Sequence, residues 1–257
     1  MAKILILDIE TKPILAYVWG LFKANVGPQQ IVDHSSILSF AAKWLGNDRV
    51  AYYSSRKMSE KDLLKKLMTF LDKADIIVAH NGKKFDLGKI KARALVHGIL
   101  PPSPYKIVDT LIVAKNEFNF DGNSLAILSD VLKCNHRKGS HRKFPGFELW
   151  LEIMKNNREA WKELREYNIL DVLVLEDVYM KMRPWITNHP NVGLISNSTG
   201  TVCPKCGSNH IQWRGYVTLI ASKYRRFQCQ GCGGWGRSRV NILEAKGRRE
   251  LAANVSG

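Results

Sequence analysis

Residues 4–11 read Ile-Leu-Ile-Leu-Asp-Ile-Glu-Thr, an apolar run that ends in two carboxylates. The aliphatic run is typical of a buried strand, and in a strand residues i and i+2 face the same side, roughly 6 to 7 Å apart. Asp8 and Glu10 therefore project together. Two adjacent carboxylates in a partly buried place repel each other unless a cation lies between them. The stretch predicts a divalent-metal site at the end of a central strand.

Two later segments carry further acidic residues that suit the same site. Residues 75–79 predict a second buried strand, and a turn at 80–82 then leads into a helix that places Asp86 near its start. Tyr167 and Asp171 are four residues apart in a segment of helical periodicity, so a phenol and a carboxylate share one helix face. Four carboxylates and a tyrosine suit a pair of divalent ions about 3.5 to 4 Å apart. Oxygen ligands of this kind favour Mg²⁺ or Mn²⁺.

Each of these residues also has a plainer interpretation. Asp8 and Glu10 could form a solvated strand end, and Asp86 could simply favour the positive end of a helix dipole. Asp171 lies among aliphatic residues, where a carboxylate requires either a metal or a cationic partner. Tyr167 could be an ordinary half-buried helix tyrosine.

The three segments, in this order on strand, turn-helix and helix, resemble the exonuclease motifs of the DnaQ-like DEDD superfamily of 3′-to-5′ exonucleases, which has a ribonuclease H-like fold. Because Tyr167 precedes Asp171 by four residues, the third segment resembles that of the tyrosine subgroup of this superfamily. One such motif occurs often by chance, whereas all three in order are specific. The resemblance covers residues 1 to about 185. It is strongest to the exonuclease domain of family B polymerases and to small phage-encoded ribonuclease H-like proteins.

This resemblance implies a chemistry for the residues that match the motifs. Asp8, Glu10, Asp86 and Asp171 would bind two Mg²⁺ or Mn²⁺ ions, and Tyr167 would position the attacking water. The activity would be hydrolysis of single-stranded DNA from its 3′ end to nucleoside 5′-monophosphates, in replication, repair or proofreading. An exoribonuclease of the same superfamily is the nearest alternative. A structure-specific endonuclease and a catalytically silent nucleic-acid-binding replisome adaptor also remain open.

Other residues are predicted to contact the substrate or to support the site. Basic residues at 136–143 could hold phosphates or form a plain solvated loop. Asp109 is expected to cap a strand–helix junction, and His80 to hold a turn. Tyr17 and Trp19 could stack on terminal bases, but packing in the core is the expectation. The predicted substrate-binding residues are Thr11, Asn81, Phe85, Arg137, Lys138, Arg142, Lys143, Arg225 and Arg226.

Two Cys-x-x-Cys pairs near the end of the chain predict a second metal site. They stand in Cys-Pro-Lys-Cys-Gly at 203–207 and Cys-Gln-Gly-Cys-Gly at 229–233. Each pair closes a tight turn that presents two thiolates, and four sulfurs complete a tetrahedral Zn²⁺ site. Two disulfides are the alternative, which a chain without an export signal does not favour. The predicted zinc ligands are Cys203, Cys206, Cys229 and Cys232.

The zinc pairs frame a module that resembles a zinc ribbon. Residues 212–228 would form its β-hairpin, in which aromatic residues alternate with Arg and Lys, a pattern of nucleic-acid surfaces. The module could hold the strand or dock a replication protein. Cys134, the fifth cysteine, is expected to be a small buried apolar residue.

Composition and charge agree with a nucleic-acid partner. The 257 residues carry 39 Lys and Arg against 23 Asp and Glu, a net charge of +16. Half of that excess, 10 basic against 2 acidic residues, falls in residues 196–257. A polyanion is the natural partner of such a surface. No export or membrane segment is apparent, so we expect a cytoplasmic protein without membrane contact, and the resemblance allows a phage-encoded one that acts in the host cytoplasm.

The order of predicted elements gives an α/β fold class. Three strands, a helix, a strand, a helix, a strand and further helices match a ribonuclease H-like mixed five-stranded sheet flanked by helices. A polar segment rich in Gly, Pro and Asn then predicts a linker. We expect an exonuclease domain at 1–187, the linker at 188–200, and a zinc ribbon with a basic tail at 201–257.

Overall fold

The computed structural model of the protein describes residues 2–22, 24–137, 143–244, 247 and 251–252. Two compact units are present, Lys3–Tyr179 and Met1–Ala2 with Met180–Gly257. The strands are β1 (Ile4–Thr11), β2 (Leu15–Ala16), β3 (Ile31–Asp33), β4 (Ile37–Trp44), β5 (Val50–Ser54), β6 (Ile76–Ala79), β7 (Lys106–Asp109), β8 (Ile211–Leu219), β9 (Ser222–Cys229) and β10 (Trp235–Asn241). The helices are α1 (Glu60–Leu71), α2 (Asp86–Val96), α3 (Thr110–Glu117), α4 (Leu125–Val131), α5 (Glu148–Met154), α6 (Arg158–Met182) and α7 (Val192–Ile195).

The first unit is built on a mixed five-stranded sheet with the order β5-β4-β1-β6-β7. Strand β4 pairs antiparallel with both β1 and β5, while β6 and β7 extend the sheet in parallel. Gly46 turns the chain between β4 and β5 with φ +81°, a conformation that glycine adopts without steric cost. The predicted α/β class and mixed sheet are confirmed.

Alternation along β1 separates the core from the site. Leu5, Leu7 and Ile9 belong to the buried cluster formed with residues of α1 and α2. Because successive side chains of a strand point to opposite faces, Asp8 and Glu10 lie on the other face of the sheet. The hydrophobic pattern of β1 thus fixes the face that carries the carboxylates.

The segment between β1 and β4 corrects one prediction. It forms the short antiparallel pair of β2 and β3, and Tyr17 and Trp19 are 78% and 103% exposed. The expectation that these two aromatic residues pack in the core was wrong. A pair of strands only two and three residues long offers no second layer against which large side chains could be buried.

The second unit contains an antiparallel sheet with the order β10-β9-β8. Its central hairpin was predicted, whereas β10 was not, because its Gly- and Arg-rich sequence lacks an apolar strand pattern. The predicted linker contains helix α7, which Asn191 caps by accepting from the backbone N–H of Leu194 at 3.2 Å. Among the described helices of the chain, none is both long and apolar enough to cross a membrane.

Candidate metal centres

Three carboxylates meet on the sheet face that lies opposite the α1 and α2 cluster. Asp8 and Glu10 come from β1, and α6 supplies Asp171; one oxygen of each lies within 4.8 Å of the others. Asp171 is only 3% exposed, and the other two are half-buried. Three negative charges so close together are stable only if protons or a cation offset their repulsion. Such a set of oxygen donors fits a divalent ion of the Mg²⁺ or Mn²⁺ type.

A buried amide, which was not singled out in the sequence, connects this group to the sheet. Asn168 on α6 donates to Asp8 Oδ2 at 2.6 Å and accepts from Ser39 Oγ at 3.0 Å. Its side chain is completely buried. Its position in the sequence could have indicated this role, because Asn168 precedes Asp171 by three residues and shares its helix face. Asn168 therefore fixes the orientation of one carboxylate and the docking of the helix that carries another.

Asp86 lies beside the group of three and outside its 4.8 Å limit. Its Oδ1 accepts from the backbone N–H of Ile9 at 3.1 Å, so it holds β1 between the two carboxylates of that strand. The parallel pairing of β1 with β6 ends at Ile6, and Asp86 supplies an acceptor further along. Burial raises the pKa of Asp86 to about 7, and the negative charge of Asp109 adds to the shift.

The raised pKa gives a stability prediction for Asp86→Asn. The unfolded chain loses this proton near pH 4 and the folded chain near pH 7, so the carboxyl lowers the free energy of unfolding as the pH rises between these values. The amide oxygen can still accept from Ile9. We expect the variant, with chelator present, to be more stable than the wild type at pH 8 by on the order of 4 kcal/mol and to show no gain at pH 4.

Urea unfolding at the two pH values measures this difference. Asp62→Asn is the matched control, because the Ser59 hydroxyl and Lys65 lower the pKa of Asp62, and its loss brings no gain at pH 8. Lower stability of Asp86→Asn at pH 8 would contradict the prediction.

The turn between β6 and α2 is held by a second carboxylate. Asp109 accepts from the backbone N–H groups of Asn81 at 2.9 Å and Lys83 at 3.0 Å. It also caps α3 through the N–H groups at its start, as predicted. The turn needs this support because Asn81 has φ 61°, a left-handed conformation that is uncommon outside glycine. His80 Nδ1 lies 2.9 Å from Thr110 Oγ1, which agrees with its predicted role in the turn.

The remaining predicted substrate residues of the first unit have the following surroundings. The carbonyl of Thr11 accepts from Trp150 Nε1 at 3.2 Å, and Phe85 is 43% exposed at the start of α2. Arg137 lies 3.7 Å from Asp130, and Lys143 lies 3.6 Å from Glu159, so both cations have acidic neighbours. Tyr167 is half-buried on α6. Lys138 and Arg142 lie outside the described residues.

The four cysteines of the second unit form a compact cluster. Their sulfurs all lie within 4.8 Å of one another, with 3.7 Å between Cys203 and Cys232 and 3.6 Å between Cys206 and Cys229. A tetrahedral ion with ligands at about 2.3 Å places its sulfurs about 3.8 Å apart. The cluster therefore has the dimensions of a tetrahedral thiolate site, and these distances are too long for disulfides.

The ionisation of the thiols also fits a cation. The hydrogen bond to Cys232 and burial raise the pKa of Cys203 to about 12, while burial raises that of Cys206 to about 11. The pKa of Cys232 is lowered, chiefly by its hydrogen bond with Cys203. Without a cation the cluster cannot hold four thiolates at neutral pH, and a bound divalent ion offsets that repulsion. Cys134 is buried away from the cluster, as predicted.

The two arginines predicted to bind substrate lie on opposite faces of the β8–β10 sheet. Arg225 stacks on Trp213 with 4.3 Å from guanidinium to ring centroid, and Arg226 lies 5.2 Å from the ring of Trp235. On the face of Arg226, Arg237 adds a further cation–aromatic contact, 4.0 Å from Tyr224. Both faces thus pair cations with aromatic rings.

The first unit is similar to known proteins. The family RNase_H_2, described as RNase_H superfamily, matches residues 5–183. The structure of the family B DNA polymerase from the hyperthermophilic archaeon Pyrobaculum calidifontis is similar, with a TM-score of 0.53 and 14% identity over 72% of this chain and 26% of the polymerase. This likeness shows the fold, and the chain spans about a quarter of that protein. A comparison with curated protein sequences finds no match. The chain belongs to the RNase_H_2 family of the RNase H superfamily.

Proposed function

We propose that the protein is a metal-dependent 3′-to-5′ exonuclease that acts on single-stranded DNA and releases nucleoside 5′-monophosphates. Membership of the RNase H superfamily supports a nuclease. The observation that carries the finer proposal is the meeting of Asp8, Glu10 and Asp171 within 4.8 Å, with Tyr167 one helical turn before Asp171. This arrangement agrees with the order and spacing of the motifs along the chain.

The chain's own residues give the site its geometry. Asp8, Glu10 and Asp171 would hold divalent ions, which when bound offset the negative charge of a phosphodiester under attack. Asn168 keeps Asp8 in place, and Asp86 holds the backbone of β1 from the other side. The latter contact makes Asp86 a positioning residue in the proposal, in addition to its expected part in binding a second ion.

Tyr167 has a separate role in the proposal. Residues i and i+4 of a helix lie on one face, so its hydroxyl and the carboxylate of Asp171 can reach one bound group. In the proposed reaction the Tyr167 hydroxyl orients the attacking water by a hydrogen bond. The net charge of the chain, +16, favours the approach of a polyanionic strand.

A time course on denaturing gels tests this function directly. The substrates are 5′-labelled single-stranded DNA and an RNA of the same sequence, each with Mg²⁺, Mn²⁺ or chelator. We expect a ladder that shortens from the 3′ end of DNA only when metal is present, and no ladder with Asp8→Ala. If RNA is shortened faster than DNA, the preferred substrate is RNA. Products of internal cleavage would indicate an endonuclease. If neither strand shortens with any metal, the exonuclease proposal fails.

A further inference from the structure

A large pocket lies between β5, the turn that follows it, and the first half of α6. Its volume is about 700 Å³, within the range of pockets that hold nucleotide-sized ligands. The pocket belongs entirely to the unit Lys3–Tyr179. None of its lining residues belongs to the group of carboxylates or is Tyr167.

The wall of this pocket is strongly cationic. Five of its lining residues are basic and one, Glu159, is acidic. Glu159 lies 3.6 Å from Lys143 instead. Within the described part of the chain, none of the five cations forms an ion pair with a carboxylate. The basic residues are Arg56, Lys57, Arg158, Lys162 and Arg165.

The backbone adds to this positive potential. The pocket lies at the beginning of α6, a helix of 25 residues, where the helix dipole favours anions. Arg158, Lys162 and Arg165 follow the spacing i, i+4 and i+7, so they form one ridge along that helix. The guanidinium of Arg165 lies 6.0 Å from the ring of Tyr52, which connects the ridge to β5.

Strand register relates the pocket to the carboxylates. Glu10 of β1 is opposite Ser39 of β4, and Ser39 is opposite Ser54 of β5, which lines the pocket. Directly opposed residues of neighbouring strands point to the same face, so Ser54 points to the face that carries Glu10. Two strand spacings of about 4.8 Å place the Cα atoms of Glu10 and Ser54 about 10 Å apart.

We propose that this cationic pocket binds backbone phosphates of the nucleic-acid strand, beside the group of carboxylates on β1 and α6. Several phosphates can be accommodated, and their charge matches the uncompensated cations. Binding here is independent of base identity, because lysine and arginine contact phosphate oxygens without reading the sequence. The pocket therefore sets the minimum length of a good substrate. This inference rests on the proposed function for its orientation, while strand binding itself can be measured without turnover.

Equilibrium binding of fluorescent oligonucleotides, in chelator so that no turnover occurs, tests the proposal. The variant is Arg158→Gln with Lys162→Gln, two exposed residues whose loss spares the core. For an eight-nucleotide strand, we expect the slope of the logarithm of the binding constant against the logarithm of the salt concentration to become about 1.4 less steep in the variant. This corresponds to about a 25-fold loss of affinity at 0.1 M salt. A dinucleotide has a single backbone phosphate and can contact only one of the two cations at a time, so its affinity should fall by no more than about five-fold.

The matched control is Lys61→Gln with Lys73→Gln, which removes the same charge from exposed positions outside the pocket. We expect this control to retain the wild-type slope within about 0.3. Equal losses in the two double variants would overturn the proposal, since they would show a general charge effect. An equally large loss of affinity for a mononucleotide would indicate a site for free nucleotides. Competition by polyglutamate as strong as that by DNA would indicate that the pocket binds an acidic protein. Either outcome also overturns the proposal. If the gel assay shows no strand shortening but the two double variants still differ in strand binding, only the exonuclease function is rejected.

Discussion

Replacing Asp171 by Asn is expected to lower the rate of DNA hydrolysis by at least about a thousand-fold, equivalent to about 4 kcal/mol of transition-state stabilisation. The change keeps the size of the side chain and removes one of the three charges that lie within 4.8 Å of each other. If cations elsewhere hold the strand, as proposed, its affinity in chelator should stay within about three-fold of the wild-type value. Single-turnover hydrolysis and equilibrium binding measure the two quantities separately.

Glu166→Gln provides the control for this prediction. Glu166 is an exposed residue of the same helix, so its neutralisation changes the net charge equally and leaves the carboxylate group intact. We expect activity within about two-fold of the wild type. Thermal unfolding of both variants shows whether they are folded. If Asp171→Asn keeps substantial activity while folded, Asp171 does not hold an essential ion.

Loss of one of the four clustered cysteines is expected to have the second large effect. A structural zinc site contributes about 10 to 16 kcal/mol of binding free energy in small modules, which exceeds the stability of most small domains. In Cys229→Ser we therefore expect no bound zinc and rapid proteolysis between residues 200 and 244. The unit Lys3–Tyr179 should remain protected, because its core includes none of these cysteines. Metal analysis and limited proteolysis of the full chain report the two outcomes.

Cys134→Ala is the matched control for the zinc prediction. Cys134 is a buried free thiol in the other unit, so its replacement removes a cysteine without touching the cluster. One zinc ion per chain and wild-type protection of residues 200–244 are expected. Zinc retained by Cys229→Ser would show that three sulfurs are sufficient to hold the ion, and an undigested second unit without zinc would show that its fold needs no metal.

Local sequence patterns predicted the features that depend on nearby residues. The strand period placed Asp8 and Glu10 on one face, the capping preference of aspartate placed Asp109 at the start of α3, and the two cysteine pairs indicated one cluster. The mixed sheet followed from the order of the elements. In each case the geometry is set within a few residues of chain, so a short segment is sufficient evidence.

Features that depend on contacts between distant segments were not predictable in this way. Asp86 was placed near a helix start, but only the packing of α2 against β1 shows that its oxygen accepts from Ile9. The role of Asn168 depends on a partner 160 residues away. The cationic pocket combines the turn after β5 with α6, and neither segment is unusual by itself. Tyr17 and Trp19 were misassigned because aromatic residues usually find a second layer, which this excursion lacks.

The hydrogen bond from Asn168 to Asp8 also determines when the carboxylate group can form during protein synthesis. A ribosome adds about 5 to 20 residues per second, so Asn168 follows Asp8 by roughly 10 to 30 s. Until then Asp171 is absent, and nothing from α6 orients Asp8. The growing chain therefore passes most of its synthesis with an incomplete set of ligands. Its chemistry would begin only when α6 has docked on the sheet.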